Sequence, residues 1–199
     1  MNRIFYIMGK SASGKDSIYR YLLDQSGLGL KKLMLYTTRP IRAGEENGRE
    51  YYFVDEKRFA FLQEQGRVVE SRTYQTVYGP WIYFTADDTD MDLSRYSYLG
   101  IGTLESYGKL KAYYGGRTVC PIYIEVEDGE RLQRALFRER QQQKPRYQEM
   151  CRRFLADSED FSETRVAEAG VFQRFRNVQF AECIREIVSY IREQSAEQI

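Results

Sequence analysis

The sequence predicts an α/β fold: a parallel-sheet core, a strand-rich segment inserted in it, and a helical arginine-rich segment. Three observations predict this. An apolar run, Arg3–Met8, stops at Gly9 and a helical pattern follows a few residues later. The outer parts of the chain alternate strand-like and helical stretches, the order that builds a parallel sheet. Between them, residues 36–85 read as short strands and turns.

Taken in order, Arg3–Met8 suits a buried strand, and Lys15–Gln25 places Ile18, Tyr21 and Leu22 at helical spacing. Leu30–Tyr36 reads as a second strand. Thr37–Glu50 carries Pro40, Gly44, Asn47 and Gly48 and reads as a loop. Tyr51–Val54 is a strand; Asp55 is the N-cap of a helix over Glu56–Gln65 that Gly66 stops. Val68–Tyr74 and Trp81–Thr85 are strands around a turn at Tyr78–Pro80, and the acidic stretch Ala86–Asp92 is a hinge or connection. Ser97–Ile101 is a strand, Thr103–Tyr113 a helix and Thr118–Val126 a β-branched strand. The rest is helical. Asp128–Gln143 is broken by Pro145, Pro145–Leu155 resumes with proline in its first position, and Val178–Ile191 forms a last amphipathic helix before a frayed polar tail.

Composition narrows the chemistry. The chain has 199 residues and net charge +1, so no global field draws it to nucleic acid or to a membrane. Its cations are 22 Arg and 8 Lys, a bias toward the flat fork that grips phosphates and carboxylates, although solvated helix faces give the same bias. The three cysteines have no paired spacing, which fits a reducing, cytoplasmic setting. No histidine is present, so catalysis falls to carboxylates, Lys, Arg, hydroxyls or a bound metal. The run Ile4–Met8 is too short for a membrane span or a signal core. The aromatic load permits a dimer face without requiring one.

Gly9-Lys10-Ser11-Ala12-Ser13-Gly14-Lys15 fits G-x-x-x-x-G-K between a strand and a helix. The glycines let backbone N–H groups converge on phosphates, and Lys15 reaches the terminal ones. Asp16 stands where Ser or Thr ordinarily ligates Mg²⁺. Either Ser17 supplies the hydroxyl while Asp16 faces away, or Asp16 itself lies on the metal side; Glu105 is a rival carboxylate. Further on, Arg39 and Arg42 flank Pro40, two forks on a stiffened loop able to clamp one monophosphate, with Tyr51 adding a phenol. Glu70 interrupts an apolar strand. It suits a base that presents adjacent N–H donors, as guanine does, or it faces outward and pairs with Arg72.

The phosphate loop, the segment "TTRPIRAGEENGREYYFV", Glu70 and the Tyr78-Gly79 turn together resemble the guanylate kinase family. The resemblance implies an α/β P-loop core over 1–35, 86–132 and 157–199 that binds ATP with Mg²⁺. It implies a GMP-binding insertion over 36–85 and an arginine-rich lid over 133–156. By that resemblance Gly9, Ser11, Ala12, Ser13, Gly14, Lys15, Asp16 and Ser17 hold ATP, with Asn177 near the adenine. Arg39, Arg42, Tyr51 and Tyr78 hold the GMP phosphate, and Glu70 reads the guanine. Arg153 is one lid arginine, and the other is Arg138 or Arg140. The implied activity is phosphorylation of GMP and dGMP by ATP. The chain departs from the family pattern at Leu35, where a phosphate-contacting Ser is expected, at Pro80, where a guanine-contacting hydroxyl is expected, and at Gly100 and Gly102, which replace two aspartates. These departures bear on the acceptor, so a kinase with a changed acceptor and a non-catalytic binding module are the two alternatives.

Overall fold

The computed structural model describes residues 2–24, 27–76, 78–88 and 91–196. The core sheet has five parallel strands in the order β2-β7-β1-β8-β9: Leu30–Lys32, Ser97–Gly102, Ile4–Met8, Val119–Glu125 and Arg174–Arg176. β1 is central, which explains why every one of its residues is apolar and buried. Its two faces feed separate clusters. Phe5 and Ile7 pack with Ile18 and Leu22 of α1 (Lys15–Asp24) and with Cys183, Ile184, Ile187 and Ile191 of α7 (Phe180–Ala196). Ile4, Tyr6 and Met8 pack with Leu104, Tyr107 and Leu110 of α3 (Leu104–Tyr114), and with Phe161 and Val166. Each such side chain contributes about 1.5–3 kcal/mol by leaving water.

The inserted sheet runs β4-β3-β6-β5, namely Tyr52–Phe53, Tyr36–Thr37, Gly79–Ala86 and Val68–Thr76. α2 (Glu56–Glu64) covers it with Leu62, which packs on Tyr36 and Phe84. Asp55 caps α2 as expected, accepting from the Arg58 amide at 2.8 Å. The helical segment comprises α4 (Asp128–Arg140), α5 (Tyr147–Asp160) and α6 (Glu163–Glu168).

Several expectations are corrected. Leu30–Tyr36 is not one strand: β2 belongs to the core sheet and β3 to the inserted one, so the chain changes sheets between them. Both halves are apolar or amphipathic, and periodicity carries no mark of that crossing. Pro80 lies within β6, paired with Gln75, rather than in a turn. The Ala86–Asp92 stretch is no loose hinge where it is described. The Asp88 carboxylate is buried and accepts from Arg58 Nη2 at 2.6 Å and Tyr36 Oη at 3.3 Å; residues 89 and 90 of this stretch lie outside the described set. Pro145 precedes α5 by two residues instead of opening it. α6 and β9 were not expected. α7 runs to Ala196, where Gln194 accepts from Arg3 Nη1 at 2.9 Å, so the helix is tied down beyond Arg192. No helix among the described residues is long and apolar enough to cross a membrane.

The tyrosine-rich core sets an alkaline limit. Burial pushes the phenols of Tyr19, Tyr107 and Tyr123 up to about 12, and those of Tyr6, Tyr114 and Tyr190 further up. The unfolded chain ionises near the ordinary value of about 10. Folded-state values above the unfolded ones mean that this stabilisation is complete below about pH 10 and is lost as pH climbs toward about 12. We expect phenolate absorbance and helix circular dichroism to change together in one steep alkaline transition. Smooth titration of all tyrosines with helix content intact would contradict this.

Candidate active site

The phosphate loop leaves β1 at its C-terminal end and enters α1. Gly9 is required by space, since a Cβ there would come within 2.6 Å of the Ile124 carbonyl on β8. Gly14 has φ +85° and lies against the Asn177 amide, so a side chain is excluded twice over. Ala12, between them, has φ 63° and is the one non-glycine residue with positive φ among those described. Ser17 and Ile18 donate their amides to the Gly14 carbonyl, both at 3.1 Å, which starts the helix directly behind Lys15. The N-terminal end of α1 therefore adds its partial positive charge to the Lys15 ammonium.

The loop is braced from two sides. Asn177 is buried, donates Nδ2 to the Ser13 carbonyl at 2.8 Å, and takes the Glu125 carbonyl with its own amide at 2.9 Å. It thus stands under the loop, tying it to the end of β8. On the other side Arg131, only 1% exposed, donates Nη1 to the Ser11 carbonyl at 3.0 Å and Nη2 to Asp128 Oδ1 at 2.7 Å. The Ser11 amide donates to Asp157 Oδ2 at 2.6 Å, and Lys10 Nζ reaches Asp128 at 3.2 Å. Ser13 is fully buried, and its hydroxyl has no partner among the described residues.

Asp16 points outward. Its side chain is 75% exposed and its Oδ2 lies 3.6 Å from Lys15 Nζ; Ser17 is also exposed. Among the described residues no group of three or more acidic or cysteine side chains could enclose a metal. A single carboxylate beside Lys15 has the chemistry to take one position of an Mg²⁺ whose other ligands would be phosphate oxygens and water, the usual habit of that ion.

Beside the loop a cavity of about 490 Å³ opens between the two sheets, lined by Tyr6, Tyr51, Glu70, Arg72, Trp81 and Tyr83, among others. Glu70 is 7% exposed and each of its oxygens accepts one hydrogen bond: Oε1 from Thr85 Oγ1 at 3.1 Å and Oε2 from Ser106 Oγ at 3.4 Å. Arg72 Nε lies 3.5 Å from Oε2, so the carboxylate is both buried and paired. Tyr6 explains the glycines of β7. In register it sits opposite Gly100, and a Cβ on Gly100 would approach its ring to 2.7 Å, while one on Gly102 would meet its hydroxyl. The phenol occupies the floor where two carboxylates are expected from the family pattern.

The arginine segment is only partly as expected. Arg39 is buried and its fork is closed on Glu45, Nη1 to Oε2 at 2.9 Å and Nη2 to Oε1 at 2.8 Å, with Nε donating to Tyr83 Oη at 3.1 Å. The Glu45 pair holds the Arg39 guanidinium more firmly protonated, and the fork holds the Glu45 carboxyl below the ordinary range. Arg39 does not line the cavity; Tyr51 does, and exposed Arg42 lies 6.0 Å over the ring of Trp81, itself part of the lining. Tyr78 is 83% exposed, stacks on Trp81 and stays outside the cavity, contrary to expectation. Of the lid candidates, Arg138 and Arg153 line one cleft of about 220 Å³ together with Ser11 of the phosphate loop, and Arg140 does not. Arg153 Nε rests on Glu149 at 2.8 Å. Tyr6, Trp81, Arg131 and Asp157 escaped the sequence reading, and Arg72 entered it only as a partner for Glu70. Only the Gly100/Gly102 pair could have hinted at one of them, as space for a large neighbour.

Comparison with known proteins places this geometry. Residues 1–88 match the family described as Guanylate kinase. A guanylate kinase of Nitrosomonas europaea is 40% identical over 80 residues, 40% of this chain and 39% of that one. One from Syntrophomonas wolfei is 40% identical over 83 residues, 40% of this chain and 42% of that one. One from Oleidesulfovibrio alaskensis is 30% identical over 133 residues, 67% of this chain and 62% of that one. The chain thus spans about two-fifths of the length of the first two relatives it matches. The crystal structure of guanylate kinase from Anaplasma phagocytophilum superposes with a TM-score of 0.60 at 20% identity, covering 99% of this chain and 88% of that one, which shows a shared fold. The matched N-terminal segment, which carries both the glycine-rich loop and the arginine loop, is similar to the corresponding part of guanylate kinases.

Proposed function

We propose that this protein transfers the γ-phosphoryl group of ATP to GMP, and to dGMP, in the cytoplasm. The observation that carries the proposal is adjacency. Gly102 of the Glu70 cavity lies in register with Met8, the residue before the phosphate loop, so donor and acceptor sites share one sheet edge. Such an edge, at the C-terminal ends of parallel strands, is where α/β sheets bind ligands. The strand-rich insertion over 36–85 holds the acceptor and the 133–156 segment closes on the phosphates.

An acceptor phosphate oxygen attacks the γ-phosphorus in line, the bond to the β–γ bridging oxygen breaks, and ADP leaves. That oxygen is already anionic, so no general base is needed and the absence of histidine costs nothing. Lys15 holds the terminal phosphates of ATP while Arg153, from Glu149, and Arg138, from the cleft wall, turn to neutralise the charge that spreads over the transferring group. Arg42 and Tyr51 take the acceptor phosphate. Arg39, whose fork is committed to Glu45, braces that loop from within and offers its one remaining Nη2 hydrogen. Asp16 and Ser17 would hold the Mg²⁺ that accompanies ATP and screens its phosphate charge. Closure of the helical segment keeps out the water that would otherwise hydrolyse ATP.

An ADP-release assay across GMP, dGMP, AMP, UMP and CMP, with and without Mg²⁺, tests this reading. Mg²⁺-dependent turnover with GMP and dGMP alone is expected. Turnover with a different base points to a changed acceptor, for which the Tyr6 floor is the structural cause. Nucleotide binding without turnover leaves a binding module.

A further inference from the structure

The acceptor cavity has two charged lining residues, Glu70 and Arg72. They stand two residues apart on β5 and so share a face. Glu70 spends one acceptor position of each oxygen on the hydroxyls of Thr85 and Ser106, which leaves one open on each. Arg72 is anchored as well, with Nη2 donating to Thr103 Oγ1 at 3.2 Å. Thr103 is the N-cap of α3 and accepts from the Ser106 amide at 3.2 Å, so the anchor belongs to a rigid element. A guanidinium carries five N–H donors. Thr103 takes one, and the Nε contact to Glu70 at 3.5 Å is an ion pair with poor hydrogen-bond length. Nη1 makes no bond among the described residues. The cavity wall therefore presents two open acceptors next to unused, charged donors.

We propose that Arg72 reads the acceptor base. Glu70 accepts the two adjacent N–H groups of a 2-amino-6-oxopurine, and the Arg72 guanidinium donates to its 6-carbonyl oxygen. An adenine edge offers one amino group beside a bare ring nitrogen. It would set the open position of one Glu70 oxygen against the lone pair of that ring nitrogen, which is the unfavourable outcome. Pro80, at the far end of the same hairpin, has no N–H to donate. The inference rests on the nucleoside monophosphate kinase reading and adds a residue that reads one atom of its acceptor.

The protein carries a built-in reporter, because Trp81 is its single tryptophan and lines the cavity. Fluorescence titration of the whole protein with GMP, 6-thio-GMP, IMP and AMP measures binding without turnover. In Arg72→Ala, GMP and IMP should both weaken by about 10- to 100-fold, the value of one hydrogen bond to a charged group. The preference for GMP over 6-thio-GMP should collapse toward unity, because sulfur is the poorer acceptor and only Arg72 senses the difference. The preference for GMP over IMP, which reports Glu70, should persist. If the oxygen-to-sulfur preference survives in the variant, or GMP affinity is unchanged, Arg72 merely neutralises Glu70 and the assignment is overturned. AMP binding as tightly as GMP to the unaltered protein overturns it too. Failure of the unaltered protein to bind GMP removes the kinase reading itself, a result distinct from the others. Should Arg72→Ala not fold, Arg72→Met, which keeps an unbranched apolar stem and has no donor, gives the same comparison, with ADP binding as the check on the phosphate loop.

Discussion

Lys15→Met should lower kcat by about 10²- to 10³-fold, the loss seen when one group aimed at transition-state charge is removed. The substitution keeps an unbranched side chain and deletes one ammonium. Lys15 is half-buried behind the loop and its only charged contact among the described residues is Asp16 at 3.6 Å, an exposed carboxylate. It therefore holds no part of the fold together, and stability should change by less than about 1 kcal/mol. Acceptor binding, read from Trp81, should be unchanged within about twofold, since the cavity lies beyond the reach of this side chain. The combination matters more than the loss alone: a drop in kcat with acceptor affinity intact locates the effect on the transferring phosphoryl group. Undiminished turnover in Lys15→Met would remove the phosphate-loop mechanism entirely.

The sequence carried some of this site openly and hid the rest, for physical reasons. The phosphate loop was legible because backbone curvature permits few residues: Gly9 has a carbonyl 2.6 Å from where its Cβ would be, and Gly14 lies at φ +85°. The arginine loop was legible as a segment, yet the division of labour within it was not. Arg39 and Arg42 are three residues apart, and only packing decides that one is swallowed by Glu45 and Tyr83 while the other stays in solvent. Glu70 does not face outward as one reading had it; it is buried in a cavity, yet it keeps the pairing with Arg72, because a desolvated carboxylate needs such partners. The seven arginines between Arg131 and Arg153 look alike in sequence. Three-dimensional packing sorts them into a buried brace, cleft-lining residues such as Arg138 and Arg153, and surface ion pairs such as Arg134 with Glu130. The sheet change after β2 was hidden because a strand that ends and one that begins after a short interval share one apolar pattern.

Arg131→Met should be the most damaging single change outside the loop itself. Arg131 has the largest fully buried side chain described, stacked 4.7 Å from the ring of Phe154 on α5. Its guanidinium joins three pieces of chain: Asp128 at the start of α4, the Ser11 carbonyl of the phosphate loop, and Asp157 on α5 at 3.7 Å. Methionine restores apolar volume and leaves the Ser11 carbonyl and the Asp157 carboxylate short of a donor, the latter in a largely desolvated place. Breaking a buried charged network from one side costs about 2–4 kcal/mol. For a domain of this size that lowers the melting temperature by about 5–15 °C. Arg131→Lys, which keeps the charge and loses the fork, should fall between the two. Because the same guanidinium fixes Ser11, ADP affinity should fall in parallel with the melting temperature, and ADP should recover less of the lost stability than it adds to the unaltered protein. A melting temperature within about 2 °C of the unaltered protein, with ADP affinity preserved, would show that Asn177 alone holds the loop and that the link from the arginine-rich helices to the phosphates is not structural.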